Sequence, residues 1–149
     1  ATVTRRDLVD SFSQSTHYFN TFGGNPVSCA AGLAVLDVIE KEGLQDHALE
    51  VGLYLNAGIN ELATRHLAIG DLRGDGLFKS IEMVKDRETR EPHSDLAPRL
   101  VNALRERQIL LNSSGVDDNI LKLRPPMVFT KEHADHFLQV FDEVLVAAT

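Results

Sequence analysis

The feature of this sequence that most limits its fold is a long apolar segment between Asn25-Pro26 and Gly43. Asn25 is a favourable helix N-cap, and Pro26 suits the first helical position, where its missing N–H costs no hydrogen bond. Gly43 marks the end of the predicted helix. Apolar residues lie all round this helix rather than on one stripe, so we expect most of its surface to be buried. Few helices in a small free-standing domain meet that requirement.

The rest of the chain alternates between helical and strand patterns. One-sided apolar stripes predict a helix from Leu44 to about His66, another after Ser94, and a last one capped by Thr130. Short apolar runs bounded by glycine or turn residues predict four strands, at 68–73, 77–84, 109–112 and 120–124. This order predicts an α+β fold of two layers, in which a small, mainly antiparallel sheet carries helices on one face.

Two segments fit neither pattern. Residues 1–20 mix polar and aromatic side chains without sustained periodicity, which is typical of an arm that lies against another surface. Residues 85–92, with the sequence KDRETREP, are dense in charge and end in proline. We interpret this second segment as a solvated loop, and a recognition role is the alternative.

Composition excludes several classes of function. At 149 residues the chain fits one domain, or one domain with an arm, and needs no disulfide or metal to bury a core. Its net charge of −7 and its scattered basic residues argue against binding nucleic acid or an anionic membrane. The single cysteine, Cys29, lies in an apolar stretch, and we expect it to be packed and reduced. With no long apolar run and no signal-peptide pattern, a soluble cytoplasmic protein is expected.

A compact motif at residues 20–26 has the sequence NTFGGNP. Free N–H groups and the positive end of a helix dipole attract anions, glycines let the backbone approach closely, and Thr21 adds a hydroxyl donor. These features predict a phosphate site. A tight turn before a buried helix is the alternative, because Gly-Gly-Asn-Pro is also ordinary turn chemistry.

The strand predicted at 120–124 places two cations on one face. Alternation puts Leu121 and Leu123 on one side and Lys122 and Arg124 on the other, just before a proline pair. Two cations that point the same way can hold an anionic substrate. A solvated strand face is the alternative.

Three segments resemble the class-III aminotransferases, which use pyridoxal phosphate. They are HYFNTFGGNPVSCAAGLAVLDVIEKEGL at 17–44, IGDLRGDGLFKSIEMV at 69–84, and ILKLRPPMVFT at 120–130. The resemblance implies the fold of type-I pyridoxal-phosphate enzymes, with this chain as the C-terminal small domain and its linker helix. It also implies a dimer or higher oligomer in which the threonine at Thr21, with Asn20 beside it, holds the cofactor phosphate of the neighbouring subunit.

The same resemblance implies that the chemistry is centred elsewhere. The family's lysine that forms a Schiff base with the cofactor lies upstream of the threonine motif, whereas all five lysines here lie downstream, at 41, 79, 85, 122 and 131. We therefore expect no catalytic residue in this chain and no activity from it alone. The chain begins at Ala1 rather than at methionine, which is weak support for a missing upstream part.

One departure from the family pattern concerns the substrate. The family commonly carries a carboxylate-binding arginine where this chain has Lys122, and lysine lacks the bidentate fork of arginine. With this departure, and with the segments VKDRETREP and ILKLRPPM, the chain is most similar to the subgroup of ethanolamine-phosphate and phosphohydroxylysine phospho-lyases. The resemblance leaves both an aminotransferase acting on an amine or amino acid and a phospho-lyase open.

The expected domain organisation follows from the resemblance. Residues 1–24 would be the arm and cofactor-phosphate loop from the end of the large domain, and residues 25–149 the small domain. The alternative from another class is a free-standing, non-enzymatic α+β module that binds a ligand or partner. His133 and His136 are three residues apart without a third ligand at a suitable spacing, so no metal site is expected.

Overall fold

The computed structural model describes residues 2–148 of the chain. The helices are α1 (Arg6–Ser15), α2 (Pro26–Lys41), α3 (Leu44–Arg65), α4 (Leu96–Glu106) and α5 (Lys131–Ala148). The strands are β1 (Ile69–Asp75), β2 (Phe78–Asp86), β3 (Glu91–Pro92), β4 (Asn112–Ser114) and β5 (Ile120–Leu123). The chain divides into two compact units, one ending at Asp37 and the other beginning at Val38, and we describe each by itself.

The first unit corrects the interpretation of residues 1–20 as an irregular arm. Arg6–Ser15 form α1, and the Ser13 and Ser15 hydroxyls donate hydrogen bonds to carbonyls one turn earlier in the helix. The apolar residues Leu8, Val9 and Phe12 stand at helical spacing but were too few to be recognised as a stripe. They are exposed in this chain.

The helix α2 begins and ends as predicted, but its burial differs from the prediction. Asn25 accepts a hydrogen bond from the Ser28 N–H at 2.9 Å, and Gly43 takes a left-handed φ of 61° just beyond the helix. No described residue of α2 is buried within this chain, and Leu33, Val35 and Leu36 are among its exposed apolar side chains. The chain itself does not supply the burial that such a helix requires.

The second unit is the predicted α+β layer arrangement. Its antiparallel strands lie in the order β1-β2-β5-β4, and the short β3 pairs with β2. Alternate residues of β2 and β5 face one side, where α3, α4 and α5 pack against them. The buried core combines strand residues Ile81, Met83, Leu121 and Leu123 with helix residues such as Leu55, Ile59, Leu100, Phe141 and Leu145.

One predicted strand lies elsewhere than expected. We predicted it at 109–112, but β4 is Asn112–Ser114, which pairs with β5. Ile109 and Leu111 are apolar because they pack against the core, not because they belong to the sheet. The two serines pair with Ile120 and Leu121 at the edge of the sheet, where polar residues are tolerated.

The segment 85–92 is solvent-exposed as predicted, with only Pro92 half-buried, but it folds into a hairpin rather than an irregular loop. Residues 87–90 form a turn that returns the chain to pair β3 with β2. The Asp86 Oδ1 atom accepts hydrogen bonds from the N–H groups of Glu88 and Thr89, at 2.9 and 2.7 Å. These bonds to Asp86 lower the pKa of its carboxyl below the usual value, the Thr89 N–H contributing most.

Arg87, which lies in this turn, caps the C-terminal end of α3. Its Nε atom donates to the carbonyls of Leu67 and Ile69 at 3.1 and 3.0 Å, and its Nη2 atom donates to those of Ala63 and His66. The last carbonyls of a helix have no partner within the helix and attract cations. One guanidinium thus satisfies the carbonyls that join α3 to β1.

The packing of α5 against α3 carries a buried polar contact. His66 is 9% exposed, and its Nε2 atom lies 2.5 Å from the Asp142 Oδ1 atom, while the Arg65 Nη1 atom donates to the Asp142 Oδ2 atom at 3.0 Å. The bond from His66, followed by that from Arg65, lowers the pKa of the Asp142 carboxyl. At pH values above the usual carboxyl pKa, Asp142 therefore stabilises the fold, and this contribution is lost as the pH falls through its lowered pKa.

No helix within residues 2–148 is long and apolar enough to cross a bilayer.

Lys79 is a buried cation on the core face of β2. Its side chain is 2% exposed, and its Nζ atom donates to the Gly74 carbonyl at 3.1 Å. Burial lowers the pKa of Lys79 below the ordinary lysine value, and the charge of Asp75 opposes this shift only in part. The charged form is thus disfavoured by folding.

We expect the substitution Arg87→Lys to loosen the end of α3, because lysine keeps the charge but cannot bond four carbonyls with a planar fork. The loss of about 1 kcal/mol corresponds to roughly fivefold faster amide exchange over residues 62–69 in native-state hydrogen exchange. Arg90→Lys is the matched control, since the Arg90 side chain bonds no residue among 2–148. Equal exchange in the two variants would contradict the capping role of Arg87.

A second prediction concerns the dependence of stability on pH at Lys79. Since its pKa is lowered in the folded state, wild-type stability rises as the pH approaches the ordinary lysine value. The Tm of Lys79→Met minus that of wild type should therefore fall between pH 7 and pH 10. At pH 7 the variant should be as stable as wild type or more stable, because an apolar side chain of similar length replaces a buried charge.

Lys85→Met is the control. The bond to Glu91, 2.7 Å away, raises the pKa of Lys85 above the ordinary lysine value, so its contribution is fully present up to that value and is lost only at higher pH. The Tm of this variant relative to wild type should therefore stay nearly constant between pH 7 and pH 10. A fall like that of Lys79→Met would show that the burial of Lys79 is not the cause.

Candidate functional site

The loop before α2 is shaped by the side chain of Asn20. Its Oδ1 atom accepts hydrogen bonds from the N–H groups of Phe22 and Gly23, at 3.2 and 3.0 Å. Its Nδ2 atom donates to the Tyr18 hydroxyl at 3.1 Å. An asparagine that bonds the backbone two and three residues later replaces part of a backbone turn. Asn20 therefore folds the loop, a role that its position before Gly23 could have indicated.

Both glycines of the motif are required by this geometry. A Cβ atom on Gly23 would lie 3.0 to 3.1 Å from side-chain atoms of Asn20, closer than ordinary contact. Gly24 has a left-handed φ of 71°, which favours glycine, and no atom lies within 4 Å of the place where its Cβ would stand. The space beside Gly24 is therefore open.

Fewer backbone N–H groups are free in this loop than the sequence predicted. The N–H groups of Phe22 and Gly23 are bonded to Asn20, and that of Ser28 is bonded to Asn25. The Asn25 Nδ2 atom also donates to the Phe22 carbonyl at 2.7 Å, which ties the loop to the first turn of α2. These internal bonds make the loop self-contained.

Thr21 is the residue that the loop leaves available. Its side chain is exposed, and its hydroxyl bonds no residue among 2–148. A cleft of about 490 Å³ lies at this loop, lined by Thr2, Tyr18, Asn20, Gly23 and Gly24 but not by Thr21, and no carboxylate lines this cleft. A small acceptor-rich group such as a phosphate fits a free hydroxyl beside open glycine backbone.

The structure separates Lys122 from Arg124, although alternation places both away from the core. Lys122 is partly buried in β5, between Ser80 of β2 and Asn112 of β4. Arg124 lies just beyond the strand, exposed, with its guanidinium carbon 6.0 Å from the centre of the Phe78 ring. The predicted alternation is confirmed by the burial of Leu121 and Leu123.

Other residues considered from the sequence have structural roles or surface positions. Cys29 is free and exposed rather than packed as predicted. The His133 Nδ1 atom accepts a hydrogen bond from the N–H group of Thr130 at 3.1 Å, and the His133 N–H lies 3.4 Å from the Thr130 hydroxyl, so His133 helps to cap α5. Within residues 2–148 no three His, Cys, Asp or Glu side chains are grouped as metal ligands would be.

Comparison with known proteins agrees with this arrangement. The family model described as aminotransferase class-III matches residues 1–145. An alanine–glyoxylate aminotransferase 2-like protein of Drosophila melanogaster is 47% identical over 99% of this chain and 30% of its own length. An ethanolamine-phosphate phospho-lyase homologue of Caenorhabditis elegans is 42% identical over 97% of this chain and 31% of its own length.

A solved structure shares the fold over nearly the whole chain. A phospholyase from Arthrobacter, solved in complex with phosphoethanolamine, is 40% identical and superimposes with a TM-score of 0.88. The match covers 98% of this chain and 35% of the phospholyase chain. The chain thus spans about a third of the length of these relatives. With the family model matching residues 1–145, the chain belongs to the class-III aminotransferase family.

Proposed function

We propose that this chain is the C-terminal part of a pyridoxal-phosphate enzyme and that Thr21 donates a hydrogen bond to the cofactor phosphate. The observation that carries the proposal is the free, exposed hydroxyl of Thr21 in the loop whose Gly24 leaves open space. Family membership favours this over a free-standing, non-enzymatic module. Pyridoxal phosphate, when bound, supplies an electron sink for reactions at the carbon that bears the amine.

In this proposal Thr21 binds the cofactor phosphate and Asn20 positions Thr21. The two hydrogen bonds that Asn20 accepts from the backbone hold the loop, so Thr21 keeps its orientation before any ligand arrives. Preorganised donors lose less entropy on binding than mobile ones. The exposed location of the loop suits a ligand that belongs to a neighbouring subunit, so we infer a homodimer or higher homo-oligomer.

The chain would not be active alone. The family resemblance implies that the lysine that bonds covalently to the cofactor lies outside this chain. Lys85 and Lys131 are paired with Glu91 and Glu50, and Lys79 is buried. We therefore assign no catalytic residue within these 149 residues. A cytoplasmic location remains part of the proposal, since a lone exposed Cys29 suits a reducing compartment.

Lys122 and Arg124 are proposed to attract the substrate, a small amine or amino acid. Two reactions are compatible with this charge, amino transfer and the elimination of phosphate from a phosphorylated amine. The second is favoured by a specific observation: the Arthrobacter relative is a phospholyase in complex with phosphoethanolamine, and the matched part of it is 40% identical to this chain. A lysine at position 122 suits a substrate that lacks a carboxylate, because it offers a point charge and no fork.

In the product of the complete reading frame, Thr21→Ala should weaken cofactor retention. The lost bond joins a hydroxyl to an anionic phosphate and is worth about 1.5 to 3 kcal/mol, which corresponds to roughly a 10- to 150-fold rise in the Kd for pyridoxal phosphate. Equilibrium dialysis measures that Kd. Thr21→Ser keeps the hydroxyl and should stay close to wild type. Unchanged affinity in Thr21→Ala would refute the assignment.

The two candidate reactions are separated by their products. We expect ethanolamine phosphate to release inorganic phosphate at a rate that exceeds amino transfer from an amino acid at least tenfold. Phosphate release and keto-acid formation are measured on the same preparation. Lys122→Arg should raise kcat/KM for the amino acid, because the fork of arginine matches a carboxylate. A preference for the amino acid in the wild-type enzyme would overturn the phospho-lyase assignment in favour of amino transfer.

A further inference from the structure

The second unit contains a cavity of about 370 Å³ to which the proposed function assigns only Arg124. It lies beside the end of β5, the segment 108–111 and the first turns of α5. Neither Thr21, Asn20 nor Lys122 lines it. Its walls are mostly apolar, formed by side chains that include Leu55, Ile109, Leu111, Leu123 and Phe137.

Four nitrogen-bearing side chains also line this cavity, those of Gln108, Arg124, His133 and His136. Arg124 forms no hydrogen bond or ion pair with any residue among 2–148, and its described neighbour is the Phe78 ring. The His133 Nδ1 atom accepts the Thr130 N–H, so the proton of a neutral ring must lie on Nε2. His133 is thereby a donor on its other nitrogen.

The charge of the cavity is opposite to that of the chain. No aspartate or glutamate lines it, although the chain carries 22 acidic residues and a net charge of −7. The N-terminal turn of α5 borders it through His133, and the positive end of the helix dipole adds to the attraction for anions. An apolar wall beside an unpaired guanidinium matches a ligand with an apolar body and an anionic head.

We propose that this cavity binds a small amphipathic carboxylate, with its apolar body against Leu123 and Phe137 and its head at Arg124 and His136. A carboxylate matches the fork of an unpaired arginine, which can donate two parallel N–H bonds to it. The apolar walls account for chain-length selectivity, since each buried CH2 group increases affinity about threefold to fourfold. Arg124 is shared with the substrate proposal, whereas His136 and the apolar walls belong to this site alone.

Calorimetric titration of the product of the complete reading frame tests this site with three probes. Octanoate carries both features, acetate carries only the head, and octanol carries only the apolar body. We expect one octanoate site per chain, with an affinity at least 30-fold above that for acetate or octanol. Equal affinity for octanol and octanoate would overturn the role of Arg124 and His136, and more than one site per chain would place binding on exposed apolar surface.

Variants locate the bound octanoate. Arg124→Gln and His136→Gln should each weaken octanoate binding fivefold or more, whereas Lys122→Gln, which removes a neighbouring cation outside the cavity, should change it less than twofold. If Lys122→Gln weakened binding as much as Arg124→Gln, octanoate would occupy the substrate face and this proposal would be wrong. Leu123→Ala shortens the apolar wall and should reduce the ratio of octanoate to acetate affinity. Because binding is read directly, failure here leaves the Thr21 and reaction tests unaffected.

Discussion

The antiparallel pairing of β2 with β5 is the contact on which the second unit depends. Register fixes Ile81 opposite Leu121 and Lys79 opposite Leu123, so each alternate side chain faces the same three helices. A slip of one residue would turn this whole set to the opposite face. The pairing thus determines where the core lies, and it also determines that Lys122 points away from it.

The register of β2 and β5 also has a destabilising consequence, because it places the side chain of Lys79 in the core. Position 79 faces the core whatever residue occupies it, and here it holds a cation whose length lets Nζ reach the Gly74 carbonyl. Gly74 stands at φ 114°, and a Cβ atom there would lie 2.0 Å from the Phe78 carbonyl oxygen. The close hairpin that only glycine permits therefore also brings the acceptor within reach of the buried lysine.

Sequence reasoning predicted the second unit well because its signals are local and periodic. The stripe of α3, the cap Thr130 and the alternation of β5 each follow from neighbouring residues. It failed where a tertiary contact gives a residue its role. Arg87 belongs to a charged run that is typical of solvent, and only the fold brings the end of α3 beside it. Ile109 is apolar like a strand residue but packs outside the sheet.

The turn at residues 20–26 was predictable for the same reason, since its loop depends on almost no distant residue. Asn20 bonds Phe22 and Gly23, and Asn25 bonds Phe22 and Ser28, so every bond spans at most three residues. The first unit has no buried residue in either helix, and local bonds alone define the geometry at Thr21. Such a loop can present a hydroxyl to a group held elsewhere, because its shape does not depend on contacts with the rest of the active site. The physical separation of the phosphate ligand from the covalent chemistry, which the family resemblance implies, is therefore consistent with how this segment is built.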